Sequence, residues 1–208
     1  MDVPLIYLDA HLLVLNKPSG LLAVPGKGAD KQDCLSARVE RWFPEAKVVH
    51  RLDRDTSGVM LMARSHEMQT KLSGLFERRE VQKFYVAEVW GNMTADKGEF
   101  HWPLRKDFDH PPRHCVDEQL GKPATTRWQV LERQANRTRL LLEPHTGRSH
   151  QLRVHCQQAG HPILGDPLYA SPPALALVSR LMLHAWRVSL AHPHSHQPHT
   201  YTVPCPWF

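Results

Sequence analysis

The sequence predicts a mixed fold of short strands and a few helices, with antiparallel pairing. Three observations lead there. Leu5–Leu8 and Leu12–Leu15 are apolar runs separated by Asp9-Ala10-His11 and read as two paired strands. Lys47–Val49 and Val59–Ala63 read as buried strands by their apolar, partly β-branched character, and they flank a dense polar loop. Arg127–Leu131 and Thr138–Leu142 read as two strands that fit an antiparallel sheet.

With 208 residues the chain suits one large domain or two small ones. Its 41% hydrophobic content is ordinary for a globular protein and excludes general disorder. The net charge of +5 mildly favours a polyanionic partner. No apolar run approaches about 18 residues, so no membrane span is expected. Cys34, Cys115, Cys156 and Cys205 are scattered and form no C-x-x-C pair. The start, Met1-Asp2-Val3-Pro4, lacks a basic segment followed by a long apolar run, so no signal peptide is expected. Scattered thiols without a secretory signal point to a reducing cytoplasm.

In chain order, Lys17-Pro18-Ser19-Gly20 is a turn, and Leu21–Val24 reads as another short strand ended by Pro25-Gly26. Leu35, Val39, Trp42 and Phe43 recur at helical spacing, and Pro44 ends that helix. Ser65 can cap a helix carrying Met68, Leu72, Leu75 and Phe76 on one face, with Arg78 and Arg79 in its last turn. Lys83–Trp90 is a strand by propensity, closed by Gly91. Residues 92–122 are irregular, with strand fragments at Phe100–Trp102 and Arg113–Val116. His101, His110, His114 and Cys115 match no standard metal-ligand spacing. A short helix from Ser149 to Ala159 ends at Gly160, and another is expected over Pro173–Arg180. The histidine-rich stretch through His192, His194, His196 and His199 reads as a loop before a last strand, Thr200–Val203.

Two stretches are chemically dense. His50-Arg51-Leu52-Asp53-Arg54-Asp55-Thr56-Ser57-Gly58 places two carboxylates beside two arginines. A carboxylate kept ionised by a neighbouring arginine can act as nucleophile or general base. Ordinary Asx-turn chemistry accounts for the same string, and composition does not choose between Asp53 and Asp55. The second stretch runs from Pro144 to His155. There Thr146-Gly147 precedes a helix start and can present amides to a phosphate. Arg148 and Arg153 suit carboxylate or phosphate pairing, though a basic helix face in any soluble protein looks alike.

The string H-R-L-D-R-D-T-S-G-V over His50–Val59 resembles the active-site signature of RluA-type pseudouridine synthases. Further segments resemble the same family: N-K-P-S-G-L-L-A-V-P-G over Asn16–Gly26, K-x-Y-x-A-x-V-x-G around Tyr85, T-G-R-x-H-Q-L-R-x-H over Thr146–His155, G-H-P-I-L-G-D from Gly160, and L-M-L-H-A from Leu181. Together they cover roughly residues 5 to 190. The resemblance implies an α+β fold: a mixed, mostly antiparallel sheet in two halves, with flanking helices and a central cleft. It implies a single catalytic domain over residues 1–208, with no room for the S4-type RNA-binding domain that longer members carry in front.

The resemblance also implies an activity and its residues. Uridine would be isomerised to pseudouridine in RNA stem-loops, in a 23S ribosomal RNA hairpin, the tRNA anticodon loop, or both, with no cofactor and no metal. Asp53, not Asp55, would be catalytic. Tyr85 would pack on the target base, although a strand aromatic is ordinarily core. Arg153 would pair with the catalytic aspartate, and Leu183 would line the uridine pocket. Arg51 could fill the space left by the flipped base. Arg148 and His150 would meet the RNA backbone or stand behind the residues that touch the substrate. A cytoplasmic monomer is expected. Two rivals remain on the sequence. A catalytically silent RNA-binding module would keep binding RNA after Asp53→Asn, and a metal-dependent hydrolase would use the histidines.

Overall fold

The computed structural model describes residues 3–207; Met1 and Asp2, on which the expectation of no signal peptide falls, and Phe208 lie outside the described residues. The chain divides into two compact units, Met1–Lys83 with His184–Phe208, and Phe84–Leu183.

In the first unit β1 (Leu5–Leu8) and β2 (Leu12–Lys17) form the expected antiparallel pair. Asp9 closes their turn, its Oδ1 accepting the N–H groups of His11 at 2.7 Å and Leu12 at 2.9 Å. Residues 21–24 are not a strand. The carbonyls of Leu22 and Ala23 instead accept the N–H groups of Leu35 and Ser36. They serve the open amides at the start of α1 (Leu35–Glu40), which Cys34 caps through its Sγ. The helix stops short of Phe43, because a residue before proline avoids helical geometry and Pro44 lies just ahead. Trp42 therefore leaves the expected apolar face and stands 62% exposed.

β3 (Lys47–Val48) and β4 (Ser57–Ala63) follow. All of β4 is buried, as its unbroken apolar run requires. One edge pairs antiparallel with β2, from Leu12↔Ala63 to Lys17↔Gly58, and the other begins with β3 at Lys47↔Ala63. α2 (His66–Glu77) packs on β3 and β4. The Ser65 hydroxyl accepts the Met68 N–H at 3.2 Å, the expected cap.

β5 (Gln82–Trp90) leads into the second unit, which adds β6 (Lys97–Phe100), β7 (Leu104–Lys106), β8 (His114–Val116), β9 (Thr126–Gln134) and β10 (Arg137–Pro144). The order β5-β10-β9-β6 is antiparallel throughout. Along β10 the alternate residues Thr138, Leu140 and Leu142 are buried, the period of a half-covered strand. β6 ends at Phe100, before the expected Trp102. β7 was not expected; it forms a separate hairpin with β8. α3 (Gln151–Gln158) packs on β8 and β10, and Gly160 follows it with φ 81°, the left-handed stop. α4 (Pro172–Ala176) is shorter than expected, because the chain to Arg180 turns back onto Gly165, where a side chain would collide with the Arg180 carbonyl.

β11 (Leu183–Ala191) and β12 (Pro198–Thr202) complete the first unit. β12 pairs antiparallel with β11. β11 meets β4 in parallel at His184↔Ser57 and Ala185↔Gly58, within a mostly antiparallel α+β fold. No helix among the described residues is long and apolar enough to cross a membrane.

Candidate functional site

The polar loop leaves β3 and returns as β4, and buried groups fix its backbone. Lys17 ends β2 fully buried, its Nζ donating to the carbonyls of Pro18 at 2.8 Å, Leu21 at 2.6 Å and Arg54 at 2.7 Å. Ser19 Oγ donates to the Asp55 carbonyl at 2.7 Å, and the Gly20 N–H to the Arg54 carbonyl at 3.0 Å. The Thr56 N–H closes the turn on the Asp53 carbonyl at 3.2 Å. Replacing Lys17 by methionine strands these carbonyls in the interior. An expected loss of about 2 kcal/mol lowers the melting midpoint by about 4–8 °C for a chain of this size. An unchanged thermal melt would show that the lysine is dispensable.

His50 anchors the loop from the other side. Its ring stacks on Phe76, with centroids 4.5 Å apart, and its Nε2 accepts the Leu61 N–H at 2.9 Å. An accepting Nε2 puts the proton on Nδ1. Burial, aided by the nearby Lys83 charge, lowers the His50 pKa to about 3. The motif histidine is thus a neutral structural acceptor and not a proton shuttle. His155 and His192 are also shifted down, first by desolvation. The unfolded chain takes up these protons near pH 6.5 while the folded His50 resists until about 3. Stability is therefore full above pH 6.5 and is lost as pH falls toward 3. We expect the melting midpoint to fall between pH 7.5 and 5.0. His50→Gln, which offers Leu61 a non-titrating acceptor, should flatten that fall. A variant with the wild-type slope would clear His50 as its source.

Within the loop Arg51 is exposed, Leu52 buried, and Asp53 and Asp55 half-buried. Arg54 grips Asp55 with Nε at 3.0 Å and Nη2 at 3.3 Å. Asp55 is thus paired with its neighbour in sequence. At the exit, His184 Nε2 donates to the Val203 carbonyl at 3.1 Å, so its Nδ1 accepts the Ser57 hydroxyl at 2.8 Å. That chain ties the loop to β11 and the residues after β12.

The remaining predicted residues belong to the second unit. Tyr85 is half-buried on β5, opposite Leu142 of β10. Leu183 is buried where β11 starts. Arg153, on α3, is only 4% exposed and pairs at two points with Asp166, Nε to Oδ2 at 2.7 Å and Nη2 to Oδ1 at 2.8 Å. His150 takes a left-handed conformation, φ 55°, just before α3, and its Nδ1 lies 2.7 Å from the Tyr169 hydroxyl. Arg148 Nε donates to the Pro123 carbonyl at 3.1 Å.

The amide that follows Thr146-Gly147 is used internally. The Arg148 N–H donates to Gln151 Oε1 at 3.0 Å, and the Thr146 hydroxyl donates to the same oxygen at 2.7 Å. Gln151, Lys17, Asp166 and Tyr169 had no role assigned from the sequence. Among the described residues no three His, Cys, Asp or Glu side chains form a metal-ligand set.

Residues 11–158 match the RNA pseudouridylate synthase family. The chain is 45% identical over 206 residues to the dual-specificity RNA pseudouridine synthase RluA of Vibrio cholerae, covering 99% of this chain and 84% of that protein. It is 45% identical over 201 residues to the protein of the same name from Escherichia coli K12, with coverages of 96% and 92%. Among solved structures, human RNA pseudouridylate synthase domain containing 1 superposes with a TM-score of 0.84 at 27% identity, covering 99% of this chain and 84% of that one. Family match, near-full-length identity and fold agree: the chain belongs to the RNA pseudouridylate synthase family.

Proposed function

We propose that this protein isomerises uridine to pseudouridine in RNA stem-loops, acting on a 23S ribosomal RNA hairpin loop, the tRNA anticodon loop, or both, with Asp53 as its catalytic carboxylate. The observation that carries this reading is the H-R-L-D-R-D-T-S-G loop. Its backbone is held by Lys17 and Ser19, and His50 anchors its first residue to β4. The dual-specificity names of the bacterial relatives support the two RNA classes.

The reaction breaks the C1′–N1 bond, turns the uracil while it is bound, and joins C5 to C1′. C5 loses a proton and N1 gains one. No atom is imported and no electron leaves, so amino-acid side chains suffice. Asp53 attacks the base or the ribose, or takes a sugar proton. Arg153 supplies the positive charge that the reaction uses. The target base must leave its stack, which is easier in a loop than in a duplex. Tyr85 receives the flipped base on its ring and Leu183 lines the pocket. Arg51 fills the gap in the RNA, and Arg148 and His150 meet its backbone. In this reading the two units work as one catalytic domain of a cytoplasmic monomer.

The test is a product map. Unmodified tRNA and a 23S fragment are incubated with the protein, and pseudouridine is located by carbodiimide-dependent primer-extension stops. One stop at a loop uridine is the expected result. Tight binding with no stop on either RNA would favour the silent binding module. Affinity should also fall steeply with salt, since each phosphate neutralised by Lys or Arg contributes about −0.7 to −0.9 to the slope of log K against log salt. A flat response would remove the basic residues from the interface.

A further inference from the structure

We infer that Asp166, backed by Tyr169, is the positioning residue for Arg153: it fixes the plane of the guanidinium that the proposed reaction uses, and this inference rests on that reading of Arg153. Asp166 is fully buried and its two carboxylate oxygens receive the Arg153 Nε and Nη2 donors at 2.7 and 2.8 Å. Oδ1 also accepts the N–H groups of Leu168 at 2.9 Å and Tyr169 at 3.2 Å. Those two amides belong to the turn that Asp166 itself begins, so the carboxylate is oriented by its own backbone. A two-point arginine–carboxylate pair then sets the guanidinium plane as well as its place.

Tyr169 constrains the other direction. Its ring lies 5.1 Å from Arg153 Cζ and belongs to a core cluster with Leu104, Ala124 and Val154. Its hydroxyl accepts the His114 N–H at 2.8 Å and lies 2.7 Å from His150 Nδ1. One short turn therefore holds both Arg153 and His150.

Stability alone is a poor reason for this arrangement. Two charges taken this far from water carry a desolvation cost that an apolar pair of similar volume would avoid. An oriented buried guanidinium is accounted for by the use made of its orientation.

The test is single-turnover pseudouridine formation, at saturating concentration of an RNA that the wild type modifies, with RNA Kd and thermal melts measured alongside. Asp166→Asn removes the charge. Asp166→Glu keeps it but shifts the carboxylate by one methylene, and serves if the first variant does not fold. Each folded variant should lose about 100-fold in rate, the scale expected for a misplacement of about 1 Å, with RNA Kd within about threefold of wild type. Arg153→Lys, which keeps charge without the fork, should be similarly slow. Adding Asp166→Asn to Arg153→Lys should cost nothing more in rate, because one acts through the other.

A folded Asp166 variant within about threefold of the wild-type rate, beside a slow Arg153→Lys, overturns the inference. So do fully additive losses, which would mark Asp166 as general scaffolding. A wild-type-like Arg153→Lys removes the assigned role of Arg153 and the inference with it. A wild type that makes no pseudouridine overturns the proposed function itself, which keeps the failures distinguishable.

Discussion

Asp53→Asn should make no detectable pseudouridine, a loss of at least about 10⁴-fold in single-turnover rate, the scale seen when an essential nucleophile or its partner is removed. Asparagine has the shape of aspartate but neither its charge nor its nucleophilicity. The substitution should leave the loop in place, because the loop is held through backbone carbonyls of Asp53, Arg54 and Asp55. A normal thermal melt and an RNA Kd near wild type are therefore part of the expectation. Asp55→Asn is the control. It loses the contact with Arg54, which is exposed and worth little, so its rate should stay within about tenfold of wild type. Equal losses at the two positions would mean that the loop is merely fragile. Activity remaining in Asp53→Asn would place the chemistry elsewhere.

Much of this was legible from residue order alone, for identifiable reasons. β2, β4 and β10 declare themselves because burial on one or both faces forces a run or an alternation. Ser65 announced α2 because a cap is a local bond across three residues. β7 was not legible: Leu104-Arg105-Lys106 has no strand pattern and is a strand through its pairing with β8. Leu21–Val24 misled because its apolar side chains are real but its carbonyls serve a helix.

The site divides in the same way. The position of Asp53 follows from a string of neighbouring residues. The parts played by Lys17, His50 and Asp166 do not, since each acts through a hydrogen bond to a residue distant in sequence. Lys17 reaches across 37 positions to Arg54, His50 across 11 to Leu61, and Arg153 across 13 to Asp166. A lysine just before Pro-Ser-Gly turns outward in most readings, and nothing local says that this one points in. The use of the Arg148 amide is hidden for a related reason: Gln151 sits one turn on and reaches back with its side chain.

Gly58→Ala should be the most damaging single methyl group in the first unit. Gly58 has φ 114°, a region that alanine enters only with strain. A Cβ there would also run into the backbone carbonyl of Ala185, its partner in the parallel pairing of β4 with β11. The backbone strain costs about 1–2 kcal/mol and the overpacking about 1–3. A total near 4 kcal/mol corresponds to a midpoint lower by about 8–16 °C in a chain of this length. The contrasting change is Gly147→Ala, where a Cβ would meet nothing within 4 Å. That variant should melt within about 2 °C of wild type, as open positions usually do.

The pair also separates two meanings of the glycine in T-S-G. If it exists for strand packing, Gly58→Ala loses stability first, and the Ser57–His184 bond beside it loosens together with the pairing. Activity then falls in proportion to the folded fraction and recovers at low temperature. If the variant instead melts like wild type yet turns over slowly at every temperature, the glycine serves the geometry of the Asp53 loop, and the collision with Ala185 has been relieved by a small shift of β11.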